Sequence, residues 1–170
     1  MRITPFYLLC GFFFLMLSLK AQVVPQASIS AKGYQAFSEA LRHSELGETL
    51  ANGGTFTIFA PSDKAFQKLD EQLNQKQPGY QRQLNSLISY HIVAGELTAS
   101  RILKALCRGE GAAILTTIQG EELIATLEGV DIVLMDCSGN TSRIVAADAN
   151  TENFVMHEID RVVFPGTPIP

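Results

Sequence analysis

The chain has 170 residues, of which 46% are hydrophobic and 18% charged, with 13 Lys and Arg against 17 Asp and Glu. This length is typical of one domain, and the composition is too apolar for a disordered chain. The net charge of −4, without a run of basic residues, argues against nucleic-acid binding, which needs clustered Lys and Arg.

The first 21 residues have the anatomy of a secretory signal peptide. Arg2 supplies a small positive region, and residues 6–19 carry no charge. At ~1.5 Å per residue this stretch spans about 21 Å, which is short of the roughly 30 Å hydrocarbon core of a bilayer. We predict a signal peptide at residues 1–21, cleaved after Ala21, with an uncleaved anchor helix as the alternative. The rest has no second apolar run of spanning length, so we expect no stable membrane span after cleavage.

Two cysteines, Cys107 and Cys137, follow the predicted signal peptide. An even number of cysteines in an exported chain is compatible with one disulfide. A bridge over a loop of about 30 residues would contribute ~3 kcal/mol in the chain-entropy model. The alternative is two separate buried thiols, because sequence spacing alone does not place two Cβ atoms within bonding reach.

Helical periodicity dominates the first part of the chain after a short lead at residues 22–28. Five amphipathic helices are predicted, each by apolar residues that recur at three and four positions. They begin near Tyr34, Ser44, Ser62, Tyr80 and Thr98. Ser and Thr at three of these starts can accept a hydrogen bond from the first turn.

Strands dominate the later part. One strand is predicted early, at residues 55–60, from β-branched and aromatic content. After Gly111 the apolar period changes to two, which predicts strands at 114–118, 123–127, 131–137, 143–147 and 155–163. Because helices come first and strands follow, the sequence indicates the α+β class.

Local motifs of catalysis and metal binding do not occur in the sequence. It contains no G-x-S-x-G, P-loop, C-x-x-C, H-E-x-x-H or EF-hand spacing. The local sequence therefore offers no candidate catalytic residue, cofactor site or metal site. A site assembled from residues distant in sequence would leave no such motif, so this conclusion needs the tertiary structure.

The three histidines of the chain are candidate functional groups. His43 ends a helix, where a cation suits the helix dipole at the surface. His91 and His157 lie beside apolar residues, which indicates buried imidazoles bonded to backbone or carboxylate. The alternative is a metal pair or an acid and base. On a strand Glu158 and Asp160 share the face opposite His157, which argues against a catalytic cluster.

One modification motif is present. Asn140-Thr141-Ser142 fits the N-glycosylation acceptor and lies in a predicted turn. It matters only in a eukaryotic secretory pathway, and the alternative is an ordinary turn asparagine.

Four blocks of this chain resemble the fasciclin-like (FAS1, beta-Ig-H3/fasciclin) domain. They are TFTIFAPSDKAF at 55–66, YHIVAGELT at 90–98, LTTIQG at 115–120 and VMHEIDRVVFP at 155–165. Their order matches that of the family, and the resemblance covers residues 29–165, leaving 166–170 as a C-terminal tail. Each block alone is a weak signal, but together they are specific.

The resemblance implies the FAS1 fold, a β-wedge of antiparallel strands with helices packed against it. It also implies an extracellular adhesion or matrix-binding role without catalysis. Tyr90 and His91 match a block often associated with receptor binding in animal members. Asp148 lies where some adhesive members carry Asp-Ile, but Ala149 follows it here. Tyr90, His91 and Asp148 are therefore the candidate partner-binding residues.

We expect a secreted or cell-surface protein (periplasmic in a Gram-negative bacterium) that binds a surface or matrix protein or a glycan. Without residues 1–21 it has 11 Lys and Arg against 17 Asp and Glu, which disfavours polyanionic partners. Arg101, Lys104 and Arg108 share one helix face and form the candidate basic patch, with a solvated face as the alternative. The alternative function is a small-ligand binder or hydrolase with a pocket near His91 and His157.

Overall fold

The structure is a computed structural model that describes residues 33–73, 76–150 and 153–166. The predicted signal peptide at 1–21, the lead at 22–28 and residues 167–170 of the predicted tail lie outside the described residues. Within that part of the chain, all five predicted helices are present. They are α1 (Gln35–His43), α2 (Glu45–Asn52), α3 (Asp63–Gln72), α4 (Tyr80–Tyr90) and α5 (Ala99–Arg108).

The first turns of two helices are capped as predicted. Ser62 Oγ accepts the N–H of Ala65 at 3.3 Å before α3, and Thr98 Oγ1 accepts the N–H of Arg101 at 3.3 Å before α5. Ser44 behaves differently, because its hydroxyl donates back to the carbonyl of Leu41 at 2.6 Å. It therefore bonds to the end of α1 and leaves the start of α2 without a side-chain cap.

Seven strands form one mixed sheet in the described part of the chain, in the order β2-β1-β7-β6-β5-β4-β3. They are β1 (Phe56–Pro61), β2 (Ile92–Ala94), β3 (Ala112–Thr116), β4 (Glu122–Glu128), β5 (Asp131–Met135), β6 (Thr141–Asn150) and β7 (Phe154–Ile159). The three-residue β2 was not predicted, because a strand this short shows no period of two. A bridge between Val93 and Thr117 brings the two ends of the sheet together.

One strand pair differs from the expectation of antiparallel strands. β1 and β7 run parallel, with Phe59 beside His157, whereas the other named pairs are antiparallel. A parallel pair needs a long crossover, and here almost the whole domain lies between the two strands. The α+β class is confirmed.

The β1–β7 pair lies between two hydrophobic clusters. Ile58 and Met156 pack into the cluster formed with α1, α3 and α4. Phe59 and Ile159 face the second cluster, which includes α5 and the inner face of β3, β4 and β5. Both faces of this strand pair are therefore buried, which explains the nearly continuous apolar run of β1.

Candidate functional site

His91 caps the C-terminus of α4 and is fully buried. Its Nδ1–H donates to the carbonyl of Leu87 at 2.8 Å, and its Nε2 accepts the N–H of Val163 at 3.3 Å. The ring packs against Phe37, with 5.5 Å between ring centroids. Burial lowers its pKa to about 4, so the ring is neutral near pH 7. Both ring nitrogens are therefore hydrogen-bonded to backbone groups.

His157 on β7 has the opposite tautomer and the same kind of partners. Its Nε2–H donates to the carbonyl of Leu97 at 2.7 Å, and its Nδ1 accepts the N–H of Asp148 at 3.3 Å. The ring stacks on Phe59 with 5.5 Å between centroids. Burial lowers its pKa below 6.5, so this imidazole is also neutral. As predicted, the two imidazoles are buried and bonded to backbone.

Asp148 sits in an irregular part of β6, where the pairing with β7 shifts register. Its φ of 60° is in the left-handed region, which Asp tolerates better than most residues. The Oδ1 atom accepts the N–H of Ala99, the first residue of α5, at 2.8 Å. A negative charge there also suits the helix dipole. Asp148 is exposed and holds the start of α5 in place.

Tyr90 and His91 do not lie on the surface. Both have no exposed side-chain area, and the Tyr90 hydroxyl donates to the carbonyl of Glu122 at 2.8 Å. Burial raises the pKa of this phenol. Of the three candidate partner-binding residues, only Asp148 can touch a partner directly in this conformation. Tyr90 and His91 lie in the core because α4 ends against the sheet. The sequence block alone does not reveal this packing.

Side chains hold the C-terminal segment, residues 160–166, against the domain. They accept four of its backbone N–H groups: Arg161 N–H to Ser142 Oγ at 3.1 Å, Val163 N–H to His91 Nε2 at 3.3 Å, Phe164 N–H to Asp136 Oδ2 at 3.0 Å, and Gly166 N–H to Glu121 Oε2 at 2.6 Å. This explains why β7 ends at Ile159 and does not continue to 163 as predicted.

Asp136 is a structural residue that the sequence analysis missed. It is 2% exposed, and its Oδ1 also accepts the N–H groups of Ser138 at 3.0 Å and of Asn140 at 2.9 Å. An acidic residue between an apolar strand and a Ser-Gly-Asn turn was the available signal. The Asn140 amide donates to Asp136 Oδ2 at 3.0 Å, so the side chain of the glycosylation motif is part of this turn.

Cys107 and Cys137 are not bridged. Both are free and exposed. Cys107 lies on the outer side of α5, whereas Cys137 follows β5, where its thiol donates to the carbonyl of Phe164 at 3.5 Å. The possible disulfide is therefore not formed in this structure, and the alternative of two buried thiols is not met either, because both residues are exposed.

The basic patch on α5 is partly neutralised. Arg101, Lys104 and Arg108 are all exposed, as the helix periodicity predicts. Arg101 Nη1 pairs with Glu96 Oε2 at 3.2 Å, and Arg108 Nε donates to the carbonyl of Lys104 at 3.3 Å. The exposed and partly paired cations of α5 thus resemble an ordinary solvated helix face, which is the alternative to a basic binding patch.

A large open cleft, here called the α3 cleft, lies between α3, the β5–β6 turn and the C-terminal segment. Its volume is about 890 Å³. Five charged side chains line it: Lys64, Lys68, Glu158, Asp160 and Arg161. Neither His91 nor His157 lines this cleft. This cleft is thus not built around the two imidazoles.

Glu158 and Asp160 have different surroundings at the α3 cleft. Burial, with the nearby charge of Asp63, raises the pKa of Glu158. The Oδ1 atom of Asp160 accepts the N–H of Arg143 at 2.8 Å. As the strand period predicts, neither carboxylate is bonded to His157.

The described ranges contain neither a cluster of metal ligands nor a helix that could span a membrane. Among residues 33–73, 76–150 and 153–166, no three His, Cys, Asp or Glu side chains come close enough to hold a metal ion. In the same part of the chain, no helix has both the length and the apolar character to cross a membrane.

Comparison with known proteins identifies the fold family. Over residues 32–165 the chain matches the family model of the Fasciclin domain. It is similar in fold to a FAS1 domain pair from the insect cell adhesion molecule fasciclin I, with a TM-score of 0.66 and 19% identity, covering 83% of this chain and 50% of that one. At that identity the likeness shows the fold alone.

Three relatives illustrate the range of the sequence similarity. Protein sll1483 of Synechocystis is 29% identical, covering 86% of this chain and 81% of its own. The cell surface glycolipoprotein MPB83 of Mycobacterium bovis is 30% identical, covering 67% of this chain and 46% of its own length. The pig transforming growth factor-beta-induced protein ig-h3 is 31% identical, covering 79% of this chain but only 18% of its own length. The chain belongs to the fasciclin domain family.

Proposed function

We propose that this chain is an exported, non-catalytic interaction module that acts at a cell surface or in a matrix. The main support for the proposal is that both buried histidines form hydrogen bonds to backbone groups that link separate segments of the chain. General acid–base catalysis needs a ring nitrogen within reach of a substrate. In His91 and His157 all four ring nitrogens have backbone partners.

The relatives support the proposed location and role. MPB83 is named a cell surface glycolipoprotein, and the matching insect protein is a cell adhesion molecule. The uncharged stretch at residues 6–19 supports export. A surface or matrix protein or a glycan is the proposed partner, and recognition would use exposed groups such as Asp148.

The small-ligand binder or hydrolase built around His91 and His157 gains no support. Both imidazoles are buried, neutral and hydrogen-bonded, and the α3 cleft lies elsewhere. A buried ring whose two nitrogens are paired serves folding stability, because breaking either bond leaves an unsatisfied polar group.

Two measurements test the proposal together. The full chain, expressed in its source cells, is located by fractionation, and the purified labelled chain is titrated onto those cells or their matrix. We expect export and saturable binding that an excess of unlabelled chain displaces. The heat-unfolded chain is the control and should not compete. Retention in the cytoplasm, or binding that never saturates, would overturn the proposal.

A further inference from the structure

We propose that the α3 cleft binds an acidic sugar, an oligosaccharide unit that carries a single carboxylate. This inference rests on the proposed function, because it assigns a ligand class and a surface to the interaction module. Its basis is a set of cations, carboxylate acceptors and apolar side chains around one open cleft.

The cations come from two distant parts of the chain. Lys64 and Lys68 are one turn apart on the exposed side of α3, and Arg161 lies just after β7. Within the described residues none of the three forms an ion pair, whereas Arg42, Arg101 and Arg143 each have a carboxylate partner. The cleft therefore brings three such cations together in an otherwise acidic domain. A concave site with an excess of one charge sign attracts a ligand of the opposite sign.

The charge of the ligand is limited by the two carboxylates. Glu158 and Asp160 line the same cleft, so three cations face two anions and one positive charge is left. A polysulfated chain or a nucleic acid would bring several negative charges close to these carboxylates and be repelled. A ligand with one carboxylate would neutralise the single positive charge that is left in the cleft. Its hydroxyl groups can donate to the ionised carboxylates of Glu158 and Asp160, which can only accept hydrogen bonds.

The apolar lining suits the C–H faces of a sugar ring. Phe164, Val162 and Val145 line the cleft, and Val145 is 54% exposed. The volume of about 890 Å³ lies within the ~300–1,000 Å³ typical of small-ligand sites. The site can thus combine apolar contact with a few orienting polar groups.

An acidic peptide is the competing ligand, and the sheet disfavours it. Extended peptides usually gain affinity by adding a strand to a free sheet edge. β6 and β7, which form the floor of the cleft, are both interior strands with partners on either side. The floor of the cleft therefore has no free strand edge with which a peptide backbone could pair. The side-chain donors and acceptors of the cleft can still bind the hydroxyl groups of a sugar.

The test compares matched probes on the purified chain by NMR titration. The probes are cellobiouronic acid, its neutral counterpart cellobiose, and a hexaglutamate peptide. The variant is Lys64→Gln with Arg161→Gln, and the matched control is Lys104→Gln with Arg108→Gln on α5. We expect cellobiouronic acid to bind at least about fivefold more tightly than cellobiose, with the advantage lost in the first variant and kept in the control.

Several outcomes would contradict the inference. Equal binding of the acidic and neutral disaccharides, stronger binding of hexaglutamate, or equal losses in the two double variants would each rule out an acidic-sugar site in the cleft. If the cleft variant also binds cells or matrix as the unaltered chain does, the proposed function stands and the ligand assignment alone fails. Absence of any saturable surface binding would instead remove the proposed function.

Discussion

His157 and Leu97 are joined by a 2.7 Å hydrogen bond from Nε2–H to the carbonyl oxygen, although 60 residues separate them. On the other side of the ring, Nδ1 accepts the N–H of Asp148. The imidazole thus ties the last strand to β6 and to the segment that enters α5. His91 ties the end of α4 to Val163 in the same way. These two rings replace strand pairing where the backbone is irregular.

Replacing His91 with Ala should destabilise the domain strongly. The change leaves a cavity beside Phe37 and removes the partners of the Leu87 carbonyl and the Val163 N–H. We expect a loss of about 3–4 kcal/mol in the free energy of unfolding, measured by urea denaturation followed by circular dichroism. His43→Ala, at an exposed helix end, is the control and should change stability little. A His91→Ala protein as stable as the control would contradict the structural role.

Stability should fall as the pH is lowered from about 6.5 towards 4. The pKa of His91 is 6.5 in the unfolded chain and about 4 in the folded one, so between these values only the unfolded state binds the proton. The free energy of unfolding then decreases by at most ~1.4 kcal/mol per pH unit for this residue. The lowered pKa of His157 acts in the same direction.

Glu158 acts in the opposite direction. Its raised folded-state pKa favours proton uptake by the native state above pH 4.5, which offsets part of the loss at the acid end of the range. Unfolding measured in urea at pH 4.5, 5.5, 6.5 and 7.5 checks the profile. A flat profile from pH 6.5 to 5.5 would show that the imidazoles are not kept neutral by burial.

Variants of Asp148 can separate its structural role from partner recognition. Asp148→Asn keeps an oxygen that can accept the Ala99 N–H, and Asn tolerates the left-handed backbone, so stability should stay within about 0.5 kcal/mol. Asp148→Ala loses both features and should cost about 1–2 kcal/mol. If the charge contacts a partner, Asp148→Asn weakens surface binding while melting as the unaltered chain does. Equal melting of the Asn and Ala variants would argue against the cap.

Both thiols of the described domain should react with iodoacetamide in the native protein without prior reduction. Cys107 and Cys137 are exposed and free. Peptide mass mapping locates the adducts, and Cys107→Ser serves as the control that leaves only the Cys137 adduct. A Cβ at Gly166 would lie 2.7 Å from Cys137 Sγ, so we expect that adduct to loosen the C-terminal segment and lower the melting temperature. Labelling that appears only after reduction would reveal a disulfide.

The local pattern of the sequence was enough for the five helices and for every strand except β2. Apolar residues at three and four positions gave all five helices, and alternation gave the later strands, because both periods depend only on which side of an element faces the core. The apolar neighbours of His91 and His157 were also enough to predict their burial. The four blocks led to the fasciclin family, which the comparison confirmed.

Only the tertiary structure decided which residues meet. The parallel pairing of β1 with β7 and the cap that Asp148 places on α5 depend on contacts between distant segments. The same is true of Lys64 and Arg161 at the α3 cleft. Periodicity records how each element is oriented towards the core, but it carries no information about the partner that packs there. Strand order and the path of the irregular segments set those partners.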